Sequence, residues 1–194
     1  KIVEQESFDY LVPTCNDYSY MSCVDVASKK GFPGFDNIAT SVVLHNKDRF
    51  REFMTNNRLA SPKAVNISGS NDIDVSDMSF PLIVKPVDSF SGRGVNKVLN
   101  ENQLEQALNA ASDNSRTSKI VVEEFIEGTL HSHSAFLNNK SICTDFFVDE
   151  YCTVYPYQVN CSNHPSVISA ALQQDIRDEI EKMAEKESDR FACF

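Results

Sequence analysis

Lys85 closes a short apolar run, Leu82-Ile83-Val84-Lys85-Pro86, and the chain soon becomes Ser89-Phe90-Ser91-Gly92-Arg93-Gly94. A lysine at the end of a buried strand carries a desolvation cost unless an anion meets it. Small residues beside it can bring several backbone N–H groups close to phosphate oxygens, because glycine has no Cβ in the way. Together these residues suit the binding of a phosphorylated ligand. The loop is not a Walker A loop, which requires G-x-x-x-x-G-K-[ST] ahead of a helix, nor a dinucleotide fingerprint, because it joins two strands. Taken alone, Ser91-Gly92-Arg93-Gly94 also reads as an ordinary turn.

The elements that must position these groups follow from the pattern around them. Phe8–Pro13 has the length of a strand. Asn16 or Asp17 caps a helix through Lys30, with Met21, Val24 and Ala27 at helical spacing and Gly31 to stop it. A second helix is predicted from Asn46 to about Asn57, opened by Asn46-Lys47, and a strand after Pro62. Residues 66–80 are Ser/Asp-rich and read as a surface loop. Leu82–Pro86 and Val95–Leu99 form a hairpin around the small-residue loop, whose one apolar anchor is Phe90, so it should be mobile without a ligand. Asn100 and Gln103 make a capping box for a helix with Leu104, Ala107, Leu108 and Ala111 on one face. From Lys119 the pattern predicts three or four meandering antiparallel strands, with a tight turn at Asn138-Asn139. A last helix runs from about Pro165 to Lys186.

Composition narrows the function. The 194 residues carry 18 Lys and Arg against 28 Asp and Glu, a formal charge of −10. With no basic run, duplex nucleic acid is excluded as a partner. No segment reaches the ~20 apolar residues needed to span a bilayer, and no signal peptide is visible, so a cytoplasmic protein with no membrane partner is expected. Six cysteines lack any C-x-x-C pair and are expected to be reduced thiols; the nine-residue spacing of Cys143, Cys152 and Cys161 suggests adjacent strands.

The order of pieces resembles the ATP-grasp superfamily: a helix opening at Lys47, then Lys85 and its loop, then Val121-Val122-Glu123-Glu124-Phe125-Ile126-Glu127-Gly128. Biotin carboxylase, the halves of the carbamoyl-phosphate synthase large subunit and ATP-dependent carboxylate–amine ligases belong there. The resemblance implies an α+β fold: an ATP-grasp core of antiparallel sheet plus helices over residues 41–194, preceded at 1–40 by the last strand and helix of an α/β domain. It implies that Lys47 and Lys85 contact ATP phosphates and that Ser91, Gly92, Arg93 and Gly94 close over them. Glu123, Glu124, Phe125 and Ile126 would line the adenine pocket, and His131 would lie near ribose or phosphates. Solvated side chains are the alternative for Lys47 and for His131.

ATP and Mg²⁺ are the implied cofactors, with the Mg²⁺ ligands on strands missing from this truncated chain. The implied partner is a small carboxylate or bicarbonate, which an acyl phosphate would carry to an amine. A homo-oligomer, or a partner chain that completes the fold, is also implied. Two other classes stay open: a nucleotide-binding or scaffold module without catalysis, and an unrelated α+β interaction domain.

Overall fold

Asn16 stands in extended conformation with its side chain accepting the Ser19 N–H, and Gly31 adopts φ 78°. Both caps therefore bound helix α1 (Asp17–Lys30) at the residues that local chemistry selects. The computed structural model describes residues 7–14, 16–68 and 73–186. It continues with α2 (Ile38–His45), α3 (Lys47–Asn56), β1 (Ala64–Ser68), β2 (Leu82–Pro86) and β3 (Asn96–Val98). A 3₁₀ turn at Glu101–Gln103 leads into α4 (Leu104–Asp113), followed by β4 (Lys119–Glu124), β5 (Leu130–Asn138), β6 (Ser141–Tyr151), β7 (Cys161–Asn163) and α5 (Ala170–Lys186). This is an α+β chain with antiparallel strand pairing, as expected.

The chain divides into two units. One contains residues 46–133 and 147–168, and its centre is a sheet of order β1-β4-β2-β3. Burial alternates along β2, which gives the sheet two unlike faces. Leu82, Val84, Val98, Ile120 and Val122 point to one face, where Ala107 and Ala111 of α4 and Met78 complete the core. Leu82 and Val122 are fully buried, and each contributes on the order of 1.5–3 kcal/mol. Residues of the other parity, Lys85 and Glu123 among them, lie on the opposite face.

The second unit contains residues 1–45, 134–146 and 169–194. Within it α1 packs on α2, with Tyr20 stacked 4.7 Å from His45. Arg177 of α5 binds Asp145 of β6 at 2.6 Å, and Glu181 accepts the Ile142 N–H at 2.9 Å. The strands β5, β6 and β7 form a three-stranded sheet in that order.

Several elements differ from expectation. β4 does not begin a meander; it lies between β1 and β2 in the first sheet. Its Ile120, Val121 and Val122 are all buried, and a run apolar on both faces needs a neighbour on each side. Residues 8–13 form no strand, and Tyr10 and Val12 are 73% and 88% exposed. Residues 152–159 form a tip with one isolated bridge, Tyr155 to Gln158, because Pro156 has no N–H for a ladder. Ile38–His45 is an unforeseen helix; the Asn37 side chain caps it by accepting the Thr40 N–H at 2.9 Å.

Three local details also shift. Gln103 accepts the Leu99 N–H, and Asn100 makes no side-chain cap, so a 3₁₀ turn replaces the capping box. The hairpin turn falls one residue later, where Asn139 and Lys140 both have positive φ. α5 starts at Ala170 because Ser166 and the Val167 N–H are engaged by Asp149. Within the Ser/Asp-rich segment, residues 69–72 lie outside the described residues, but Ile73, Val75 and Met78 pack on the core. The cysteines at 23, 143, 152 and 161 are free thiols. No helix among the described residues is long and apolar enough to cross a membrane.

Candidate nucleotide-binding site

Lys47 is the first residue of α3, and the helix start is tied to the segment that leaves β2. Its backbone N–H donates to the Val87 carbonyl at 3.2 Å, and its Nζ donates to the Ser89 carbonyl at 2.5 Å. A residue forty positions upstream is thereby fixed beside the small-residue loop. The loop is closed by its own polar groups. Ser89 Oγ donates to the Arg93 carbonyl at 2.8 Å, and the Arg93 and Val95 N–H groups donate to the carbonyls of Phe90 and Gly92. Ser91, Gly92 and Gly94 all have positive φ. Arg93 lies over the Phe90 ring at 5.2 Å. Gly92 is also required by space, since a Cβ there would stand 2.8 Å from the Tyr157 carbonyl oxygen.

Lys85 is held from the other side. Its Nζ lies 2.8 Å from Glu123 Oε2, and its side chain is 16% exposed. The register sets Ile83 opposite Glu123 and Lys85 opposite Val121, so Lys85 and Glu123 are diagonal neighbours on one face. Arg51, one helical turn after Lys47, reaches the same carboxylate with Nε 2.7 Å from Oε1 and a second nitrogen 3.3 Å from Oε2. Sequence reasoning missed Arg51. The signal was there, because residues four apart share a helix face.

Burial drives the Lys85 ammonium below its ordinary value, against the attraction of Glu123 and with the repulsion of Arg51. Burial also pushes the Glu123 carboxyl up, but the Arg51 hydrogen bond and the Lys85 charge overcome it and hold Glu123 below the usual range. Lys97 pairs opposite Ile83, so it shares this face, and its Nζ stands 3.5 Å over the Phe125 ring.

The structure therefore brings Lys47 to the loop and joins Lys85 with Glu123. Glu124 points away: its carboxylate accepts the Ser79 N–H at 2.9 Å, and its own N–H donates to the Lys63 carbonyl. The Phe125 N–H is taken by the Pro81 carbonyl, and Ile126 is 68% exposed.

His131 sits in a cluster of its own. Its Nδ1 lies 2.8 Å from Asp149 Oδ1, and its Nε2 is 2.6 Å from Thr129 Oγ1. Ser166 donates to the same Asp149 oxygen at 2.5 Å, and this bond does most to hold Asp149 below its ordinary value. Burial opposes that shift; the Val167 N–H and His131 reinforce it. Asp145, an acidic residue of the same sheet, is occupied by Arg177. Among the described residues no three His, Cys, Asp or Glu side chains converge as a metal set.

The family described as D-ala D-ala ligase C-terminus matches residues 56–193. Formate-dependent phosphoribosylglycinamide formyltransferase of Prochlorococcus marinus strain NATL2A is 37% identical over 97 residues, covering 47% of this chain and 25% of that protein. The L-amino acid ligase of Bacillus licheniformis superposes with TM-score 0.71 at 18% identity, over 95% of this chain and 43% of that one. The biotin carboxylase domain of Hydrogenobacter thermophilus 2-oxoglutarate carboxylase, solved with MgADP, ADP and bicarbonate, gives 0.68 at 18%, over 86% and 39%. The chain spans about a quarter of the length of the first of these relatives. The two structures show a shared ATP-grasp fold.

Proposed function

Since the chain belongs to the family described as D-ala D-ala ligase C-terminus, within the ATP-grasp superfamily, we propose that it is the ATP-binding part of an ATP-dependent ligase that acts on a carboxylate. One observation carries this reading: Lys47 and the 89–94 loop are locked together at the exit of β2, the strand that also bears the buried Lys85. A polyphosphate needs cations and N–H groups together, and two lysines and a turn of small residues share this strand end.

The residues divide the work by chemistry. Lys47 and Lys85 supply positive charge to the phosphates, each from a helix or strand that fixes its backbone position. Arg93 and the small-residue loop close on the same group. At the end of the Glu123–Ile126 segment, past the paired strand, the exposed Ile126 offers its backbone edge to the adenine. Bound ATP would supply the phosphoryl group that turns a carboxylate or bicarbonate into an acyl phosphate open to an amine. Four acidic residues of β4 and β6 are already committed: Glu123 to Arg51 and Lys85, Glu124 to Ser79, Asp145 to Arg177 and Asp149 to Ser166. Among the described residues these carboxylates offer magnesium no open ligand set. That commitment also supports a second reading, in which ATP is held without turnover.

Thermal unfolding with and without ATP tests the proposal. ATP at about a hundred times its Kd should add about 2.7 kcal/mol of stability, and Lys85→Ala should abolish the gain. An equal gain in both proteins overturns the assignment. Phosphate release with a panel of carboxylates and amines separates the two readings, since typical enzymes turn over at roughly 1–10³ per second.

A further inference from the structure

Glu123 is 4% exposed and shared between two cations, Lys85 on Oε2 and Arg51 in a fork over both oxygens. A phosphate that recruits Lys85 must draw its ammonium away from this carboxylate or stretch the contact. A buried carboxylate stripped of its countercharge is costly, so the exchange is open only if a second cation stays behind. Arg51 has the geometry for that role. It comes from α3 rather than from the strand, it holds both carboxylate oxygens, and its planar guanidinium keeps its charge in any protein environment.

We infer that Arg51 is a positioning residue: it keeps Glu123 neutralised so that Lys85 can change partners from the carboxylate to a phosphate of the nucleotide. This rests on the nucleotide-binding reading above. Arg51 acts through Glu123 and does not touch the ligand. The consequence is a specific coupling. Without Arg51, Glu123 holds Lys85 back and nucleotide binding weakens; without both Arg51 and Glu123, Lys85 is released and binding returns.

The experiment measures ATP affinity by calorimetry on the full chain in four forms: unchanged, Arg51→Gln, Glu123→Gln and the double variant. Arg51→Gln should weaken ATP by about tenfold or more, and the double variant should recover to within about threefold of Glu123→Gln, the non-additivity expected of residues in one network. Arg51→Lys retains a charge but not the fork and should fall between, which keeps the test open if Arg51→Gln does not fold. An equal loss from removing Arg51 whether or not Glu123 is present would mean that Arg51 acts on the phosphates directly, and would overturn the inference. A lowered melting temperature with unchanged ATP affinity would make Arg51 merely structural and would overturn it as well. If the unchanged chain binds no ATP, it is the nucleotide-binding reading that fails.

Discussion

A carboxyl group buried between two cations stabilises the fold only while it is ionised, and Glu123 is such a group. Its folded value lies below its ordinary one, so the folded state favours the deprotonated form. The stabilisation is complete above the unfolded carboxylate range, about pH 4–5, and is lost as pH falls through the lower folded value. Melting temperatures from pH 7 down to about pH 3 should therefore fall more steeply for the unchanged chain than for Glu123→Gln. Parallel curves would show that the carboxylate is not held ionised. Ile126 supplies a second residue-scale prediction. Proline there removes a backbone N–H from the proposed adenine edge. Ile126→Pro should weaken ATP while sparing inorganic tripolyphosphate; equal loss of both would mean that the change damaged the fold.

At the scale of elements, the loop between β2 and β3 depends on a glycine that is required by space as well as by backbone conformation. Gly92 has φ +72° and would set a Cβ 2.8 Å from the Tyr157 carbonyl oxygen, whereas Gly34, at φ +86°, would meet nothing within 4 Å. Gly34→Ala should cost only the backbone strain, about 1 kcal/mol. Gly92→Ala adds a clash with backbone and should cost more in denaturant unfolding and also weaken ATP, since it displaces the loop from the 152–159 tip. Equal costs at the two positions would argue against that seating. The loop's own bonds are long, 3.3 Å at the Arg93 N–H and 3.2 Å at the Val95 N–H. Those two amides should exchange quickly in the free chain and slow on ATP binding, which hydrogen exchange would read directly.

The whole molecule carries a formal charge of −10, and ATP is itself an anion. Long-range repulsion acts over a Debye length of about 10 Å at 0.1 M salt, whereas partly buried cations such as Lys85 are screened much less. Raising ionic strength from about 20 to 200 mM should therefore speed ATP association, because it weakens the repulsive field more than the local attraction. Stopped-flow rates that fall with salt would indicate instead a cationic funnel around the site.

What the amino-acid order determined by itself was whatever closes within a few residues. Asn16 and Gly31 bound α1, and Lys85 with its loop and the returning strand form a hairpin, because each of these partners lies close by in the chain. The ATP-grasp order of Lys47, Lys85 and the Glu123 segment was legible for the same reason: each piece is a local motif. The partners of those motifs were not legible. Glu123 meets Lys85 from 38 residues away and Arg51 from 72, and neither pairing is written in spacing. Both depend on β4 passing between β1 and β2, a placement set by burying Ile120, Val121 and Val122 on both faces at once. Tertiary packing alone decided that the buried lysine would be met by a carboxylate, and that an arginine from a neighbouring helix would share it.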